Sequence, residues 1–255
     1  MNGGVRSMKY SVCLDAVYAG GDVADSMRRV HEAGYGAVEF WSWWDKDCEA
    51  VAQAAERLGL QIAAFCTKFV PLTEPQARAR YLEGLRESIQ VAGRLRCNTL
   101  ITQTGPDTGA PREEQRQCLL DGLRACVPLL EESGVTLVVE PLNTKLNHPG
   151  YFLSASKEAF DLIDEVGAQS VRVLYDIYHQ QITEGDILRS LLPNLDKAGH
   201  IHAAGAPGRH ELTQGELNYP NIFRQLRAAG YEGYVGLEYS PQQAPEEGLR
   251  AVLNW

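Results

Sequence analysis

Two kinds of apolar run alternate along the chain. Short, nearly continuous apolar stretches give way to longer segments whose apolar positions recur every three to four residues. The first kind predicts strands over 9–14, 37–41, 61–67, 99–104, 136–142, 171–177, 198–204 and 234–239. The second predicts helices over 22–33, 48–58, 74–95, 112–132, 156–166, 184–192, 220–229 and 245–254. Start and stop residues support these bounds. Gly34, Gly59, Ser133-Gly134, Gly167 and Gly230 follow helices. Thr73 and Pro75 open the third helix, and Ser154 or Ser156 is the expected N-cap of the fifth.

Strict alternation of β and α predicts the α/β class with a parallel sheet. The strands are apolar throughout, as expected when both faces are covered. Eight such units in 255 residues predict closure into a single (β/α)8 barrel, one domain spanning 1–255. An open doubly wound sheet would want a glycine-rich phosphate turn. Gly20-Gly21 follows the first strand, but there is no G-x-G-x-x-G and no P-loop. Residues 1–7 read as a flexible extension, with Met8 as a candidate native start and no signal peptide.

Composition narrows the partners. Net charge is −9 with scattered basic residues, which argues against nucleic acid or an anionic membrane. No apolar stretch approaches the ~20 residues a membrane span needs. The six cysteines form no C-x-x-C pair, and several lie in apolar segments. They read as free buried thiols in a reducing cytoplasm.

Four runs in the C-terminal half end in metal-capable residues: Glu140, Asp176, His202 and Glu238. Acidic and imidazole groups at the ends of buried strands are unfavourable unless something there uses them. Their helix-length separations place them on strands five to eight, whose C-terminal ends meet at one barrel mouth. Three carboxylates and one imidazole suit a hard divalent cation such as Mn²⁺, Mg²⁺ or Co²⁺, and Zn²⁺ less. The alternative is four unrelated strand-end polar groups. Glu39 ends strand two at the same rim, with Lys68 and Gln103 as further candidates.

The runs E-P-L-N at 140–143, H-P-G-Y at 148–151, L-Y-D-I-Y-H at 174–179, G-H-I-H at 199–202, P-G-R-H-E at 207–211, G-E-L-N-Y at 215–219 and G-L-E-Y at 236–239 resemble the hydroxypyruvate isomerases. Those belong to the xylose isomerase-like TIM barrels, which also include the ketose 3-epimerases. The resemblance covers nearly the whole chain. It implies that Glu140, Asp176, His202 and Glu238 ligate the metal and that Glu140 and Glu238 form the acid/base pair. It also implies that His179 and Arg209 contact substrate. Hydroxypyruvate isomerases usually carry Gln in an H-I-Q run on strand seven. His202 resembles the epimerases there, whereas P-G-R-H-E and G-E-L-N-Y lean towards the isomerases.

The chemistry agrees with the resemblance. Shifting a hydrogen between adjacent carbons of a hydroxy-ketone removes a proton α to a carbonyl, and a divalent ion stabilises the resulting enediolate by several kcal/mol. One carboxylate takes the proton and a second returns it, to the adjacent carbon in isomerisation or to the opposite face in epimerisation. The expected partner is a small keto sugar or hydroxy-keto acid.

Other residues have competing readings. Glu39, Lys68 and Asn143 are candidate substrate contacts, with Asn143 equally a turn residue. Arg209 suits a substrate carboxylate or hydroxyl, or a loop salt bridge to Glu211. His200 reads as a neighbour supporting the site, and His148 and His210 as loop residues at the mouth or in solvent. His31 reads as a surface helix residue. Trp41, Trp43 and Trp44 fit a pocket wall, the core or a contact between copies in a homo-oligomer. A metal-dependent endonuclease would want more His and Asp ligands and a basic face. A non-catalytic sugar-binding barrel would need no paired Glu.

Overall fold

In a computed structural model, residues 8–255 are described. The extension expected at 1–7 lies outside them. Eight parallel strands close into one barrel in sequence order. They are β1 Lys9–Cys13, β2 Ala37–Phe40, β3 Gln61–Cys66, β4 Thr99–Thr102, β5 Thr136–Val139, β6 Val171–Asp176, β7 Ala198–Ala203 and β8 Tyr234–Leu237. The helices are α1 Leu14–Val17, α2 Val23–Glu32, α3 Cys48–Leu58, α4 Arg78–Leu95, α5 Arg112–Ser133, α6 Ser156–Val166, α7 Ile177–Thr183, α8 Ile187–Leu191, α9 Tyr219–Ala228 and α10 Pro245–Leu253. The expected (β/α)8 architecture is therefore present. Among the described residues no helix is long and apolar enough to cross a membrane. All six cysteines are free thiols, five of them buried.

The main core lies between strands and helices. Helix α9 shows how the pattern builds it. Asn218 caps it by accepting the Asn221 N–H, Pro220 sits in its first turn, and Tyr219, Ile222, Phe223 and Leu226 share its buried face. Burying each large apolar side chain contributes about 1.5–3 kcal/mol. The Tyr219 hydroxyl donates to Ala204 O at 2.6 Å and accepts from Ala204 N at 3.1 Å, tying α9 to the loop after β7.

Several expected bounds change. The helix expected at 184–192 is the shorter α8, followed by a 3-10 segment Leu192–Lys197, and it is preceded by α7, a helix the sequence reading did not expect. Strand 171–177 stops at Asp176 because its Oδ1 accepts the N–H groups of Tyr178 and His179 and starts α7 at once. Gly185 and Asp186, both at positive φ, separate α7 from α8. Neither Ser154 nor Ser156 caps α6. The N-cap is Ala155, and Ser156 Oγ donates to Glu184 instead. Thr73 Oγ1 donates to Pro106 O, and a 3-10 turn Pro75–Ala77 precedes α4. The segment 9–14 gives up Leu14 to the short α1. Strands 99–104, 136–142 and 234–239 stop early at Thr102, Val139 and Leu237. Glu140 and Glu238 thus lie one residue past their strands, held by Glu140 N–H to Thr102 O and Glu238 N–H to Ala203 O.

Candidate active site

Strand register assembles the site. Asp176 pairs with His202, and His202 pairs with Gly236. Glu238 lies two residues beyond Gly236, hence on the same face. Glu140, Asp176, His202 and Glu238 are all buried. Each offers one ligand atom, and these atoms lie within 4.8 Å of one another. Oxygen ligands about 2.1–2.6 Å from a hard cation stand roughly 4–5 Å apart across it, so the spacing suits such an ion. His202 Nδ1 is the most informative atom. It is buried without a hydrogen-bond partner, 3.4 Å from Glu238 Oε2 and 3.7 Å from Glu140 Oε1. Both distances are too long for strong hydrogen bonds, and they leave the nitrogen aimed between two carboxylates.

Charge is concentrated here. Burial opposes the charged form of Glu238, but Arg209 and His202 more than offset it and hold the carboxyl well below its usual range. Burial raises the Asp176 carboxyl, with Glu238 adding to the rise and Arg209 opposing it. Burial lowers the His202 ring pKa, yet Glu238 and Glu39 outweigh it and hold the ring well above its usual value. Three carboxylates facing one ring and one guanidinium call for a further cation.

A cavity of about 280 Å³ opens above the cluster. Its lining includes Trp41, Gln103, Glu140, His179, Arg209 and Glu238. Trp41 Nε1 donates to Glu238 Oε1 at 2.5 Å, and Arg209 donates to Glu238 Oε2. The Arg209 guanidinium also lies 5.5 Å from the Tyr178 ring centre. Its pairing with Glu238 replaces the salt bridge to Glu211 considered above. Glu211 accepts instead from the Gln242 and Gln243 N–H groups.

His179 lines the cavity with a defined tautomer. Asn143 Oδ1 accepts the Leu146 and Asn147 N–H groups, which fixes its amide nitrogen on His179 Nδ1 at 2.6 Å. Nδ1 is then the acceptor, and Nε2 carries the proton. Nε2 has no hydrogen-bond partner and lies 3.5 Å from Asp176 Oδ2. Burial lowers the ring to about 4, so it is neutral at ordinary pH. Asn143 itself is a buried turn residue behind His179 and is absent from the cavity lining.

Other candidates lie away from the cluster. Glu39 is buried behind His202 rather than on the cavity wall. The Lys68 ammonium pairs with Glu87 and lies 5.3 Å from the Trp43 ring centre. Lys68 lines a second cavity of about 310 Å³, which shares Phe69, Gln103, Leu142 and His148 with the first. His200 contacts Glu39, and His210 contacts Ser240 O. Of the three tryptophans, Trp41 reaches the site, Trp43 donates to Ser88, and Trp44 packs edge-on against Phe69. Sequence reasoning did not single out Ser11, whose hydroxyl donates to Glu39 Oε2 at 2.6 Å, or the Trp41–Glu238 bond. No local signal marks either one.

Comparison with known proteins follows the same lines. A family model described as xylose isomerase-like TIM barrel matches residues 27–255. Hydroxypyruvate isomerase of Escherichia coli (strain K12) is 29% identical over 254 residues, covering 95% of this chain and 97% of its own. The 2-oxo-tetronate isomerase of Cupriavidus necator is 40% identical over 140 residues, 55% of this chain and 54% of its own. The crystal structure of a Brucella melitensis protein described as AP endonuclease, family 2, matches with a TM-score of 0.93 at 30% identity. That match covers 98% of this chain and 99% of the other.

Proposed function

Because the chain belongs to the xylose isomerase-like TIM barrel family, we propose that it is a divalent-metal-dependent isomerase of small hydroxy-keto compounds such as hydroxypyruvate and 2-oxo-tetronate. The observation that carries this reading is the bare, buried Nδ1 of His202 aimed between Glu140 and Glu238 at a cavity floor. Glu140, Asp176, His202 and Glu238 would hold the ion. When bound, a divalent cation supplies Lewis-acid polarisation of the substrate's carbonyl and adjacent hydroxyl. Glu238, kept ionised by Arg209, removes the proton α to the carbonyl. Glu140, entering in its carboxylic acid form, gives its proton to the adjacent carbon, while the hydroxyl proton moves to the former carbonyl oxygen; the proton taken by Glu238 then leaves to solvent and Glu140 is reprotonated before the next turnover. His179 Nε2–H donates to a substrate oxygen. Arg209 holds Glu238 ionised and keeps further N–H groups for substrate. Trp41 and Phe69 supply apolar surface at the cavity wall.

A second reading, a ketose 3-epimerase, is favoured by His202 on strand seven and by the second cavity, which leaves room beyond a three-carbon acid. A nuclease role fits poorly. The chain carries net charge −9, and Arg209 in the central cavity is already paired with Glu238. The test is a panel of hydroxypyruvate, tetruloses, pentuloses and hexuloses with added Mn²⁺ in D₂O, read by NMR. Hydroxypyruvate conversion with deuterium entering at the adjacent carbon supports the isomerase. Inversion at C3 of a ketose favours the epimerase. Full turnover after exhaustive chelation with no bound metal overturns the metal-dependent reading.

A further inference from the structure

The barrel lumen beneath the cavity is divided in two. On β3 to β6 it is apolar, filled by Ala64, Cys66, Ile101, Val138 and Leu174. On β1, β2 and β7 it is polar, filled by Ser11, Glu39, His200 and His202, none more than 2% exposed. A carboxylate buried this deeply is strongly unfavourable unless it is paired and hydrogen-bonded. Glu39 has three partners. The Ser11 hydroxyl donates to Oε2 at 2.6 Å, and His200 Nε2 lies 2.9 Å from the same oxygen. His202 Nε2 lies 2.8 Å from Oε1, inside ion-pair range though without the alignment of a full hydrogen bond. The fourth side is open by sequence. A Cβ on Gly236 of β8 would come within 2.3 Å of Glu39 Oε1.

We propose that Glu39 is the positioning residue of the metal site: by holding the Nε2 side of His202 it leaves Nδ1 as the ligand atom facing Glu140 and Glu238. The inference rests on the reading above that these residues hold a divalent ion. An ionised carboxylate only accepts hydrogen bonds, so its two oxygens satisfy three donors together. Each histidine then presents an Nε2–H to Glu39. For His202 this frees Nδ1: neither ring nitrogen makes a full hydrogen bond, but Nε2 lies 2.8 Å from Glu39 Oε1, whereas Nδ1 stands 3.4 Å from Glu238 Oε2 and 3.7 Å from Glu140 Oε1. The arrangement is a carboxylate–histidine–metal relay, in which the outer carboxylate orients the ring and raises its basicity as a ligand. His200 and Ser11 anchor the outer carboxylate from the side away from the cavity. Glu39 therefore acts through His202 and touches no substrate, which differs from the substrate contact expected of it from the sequence.

Glutamine at position 39 tests this with almost no change in volume. Its single amide oxygen keeps the most hydrogen bonds by staying with Ser11 and His200. Its NH₂ group then faces His202 Nε2, which must accept and move its proton to Nδ1, where the ion would bind. Gly236→Ala is an independent perturbation, because it keeps the carboxylate but pushes Oε1 off His202.

The experiment uses the full chain, stripped of metal, titrated with Mn²⁺ and read by the EPR signal of the free ion. Glu39→Gln and Gly236→Ala should each weaken Mn²⁺ binding about 10–100-fold. The double variant should be little weaker than Glu39→Gln alone, because both changes act on one contact. Activity lost at low Mn²⁺ should return at saturating Mn²⁺, which a general folding defect would not allow. The Tm of the metal-free protein controls for folding. Wild-type Mn²⁺ affinity in both variants overturns the role of Glu39 and leaves the metal-site reading intact. Absence of Mn²⁺ binding by the wild type overturns both.

Discussion

The indole N–H of Trp41 donates to Glu238 Oε1 at 2.5 Å, joining the loop after β2 to the end of β8. Trp41 is placed for this by its own backbone N–H, which donates to Asp15 Oδ2 at 2.7 Å. Glu238 is thus fixed at both oxygens, by Trp41 on one and Arg209 on the other. Trp41→Phe keeps the aromatic wall and removes the donor. A hydrogen bond to a charged group contributes about 1.5–3 kcal/mol, so kcat should fall about tenfold or more with little change in KM. An unchanged kcat would reduce Trp41 to a wall.

The proposed proton transfers place Glu140 and Glu238 in one pair. Each changed to Gln should lose on the order of 10²–10⁴ in rate while the fold survives, since Gln fills nearly the same volume. The measurement is deuterium uptake into substrate in D₂O. A variant that exchanges at the wild-type rate has lost no acid or base.

Metal binding should be visible in stability as well as rate. An ion that binds only the folded state stabilises it by about 2.7 kcal/mol at one hundred times its Kd. For a chain of this size that is a rise in Tm of roughly 5–10 °C, since 1 kcal/mol shifts Tm by about 2–4 °C. Thermal melts with and without Mn²⁺ measure it. A melt insensitive to Mn²⁺, Mg²⁺ and Co²⁺ alike would contradict a resident divalent ion.

Arg209 holds φ 58°, a left-handed conformation that costs a non-glycine residue about 1–2 kcal/mol, and its pairing with Glu238 offsets this. Arg209→Leu should slow neutral ketoses and keto acids alike by freeing Glu238. Acids should lose a further contact worth about 1.5–3 kcal/mol if the guanidinium also binds their carboxylate. Comparing kcat/KM on both substrate types decides it, and equal losses reject the substrate-carboxylate role.

Tyr219→Phe leaves the Ala204 N–H and C=O without their side-chain partner. The expected loss is about 1–3 kcal/mol, read as a lower urea midpoint with unchanged slope. An unchanged midpoint would mean that neither bond contributes to stability.

The architecture was legible in the sequence because its signals are local. Apolar runs and helical spacing repeat eight times, with a glycine closing five of the helices, and that count with its strict alternation leads to a closed parallel barrel. The four strand-end residues Glu140, Asp176, His202 and Glu238 were legible for the same reason, since barrel geometry carries every strand end to one rim. Helix α7 was hidden because Asp176 serves both as strand end and as helix cap, and no spacing rule separates the two. Direction within the rim could not be read at all. Lys68 turns to Glu87, Asn143 turns back to His179, and Glu39 faces inward beneath His202. In the proposed metal site, the nitrogen of His202 that faces Glu140 and Glu238 would be set by the distant Glu39, which lies where a Cβ on Gly236 would come within 2.3 Å of its Oε1. Such choices are made by contacts between strands far apart in sequence, where burial leaves each polar atom one low-energy partner, so only the tertiary structure decided them.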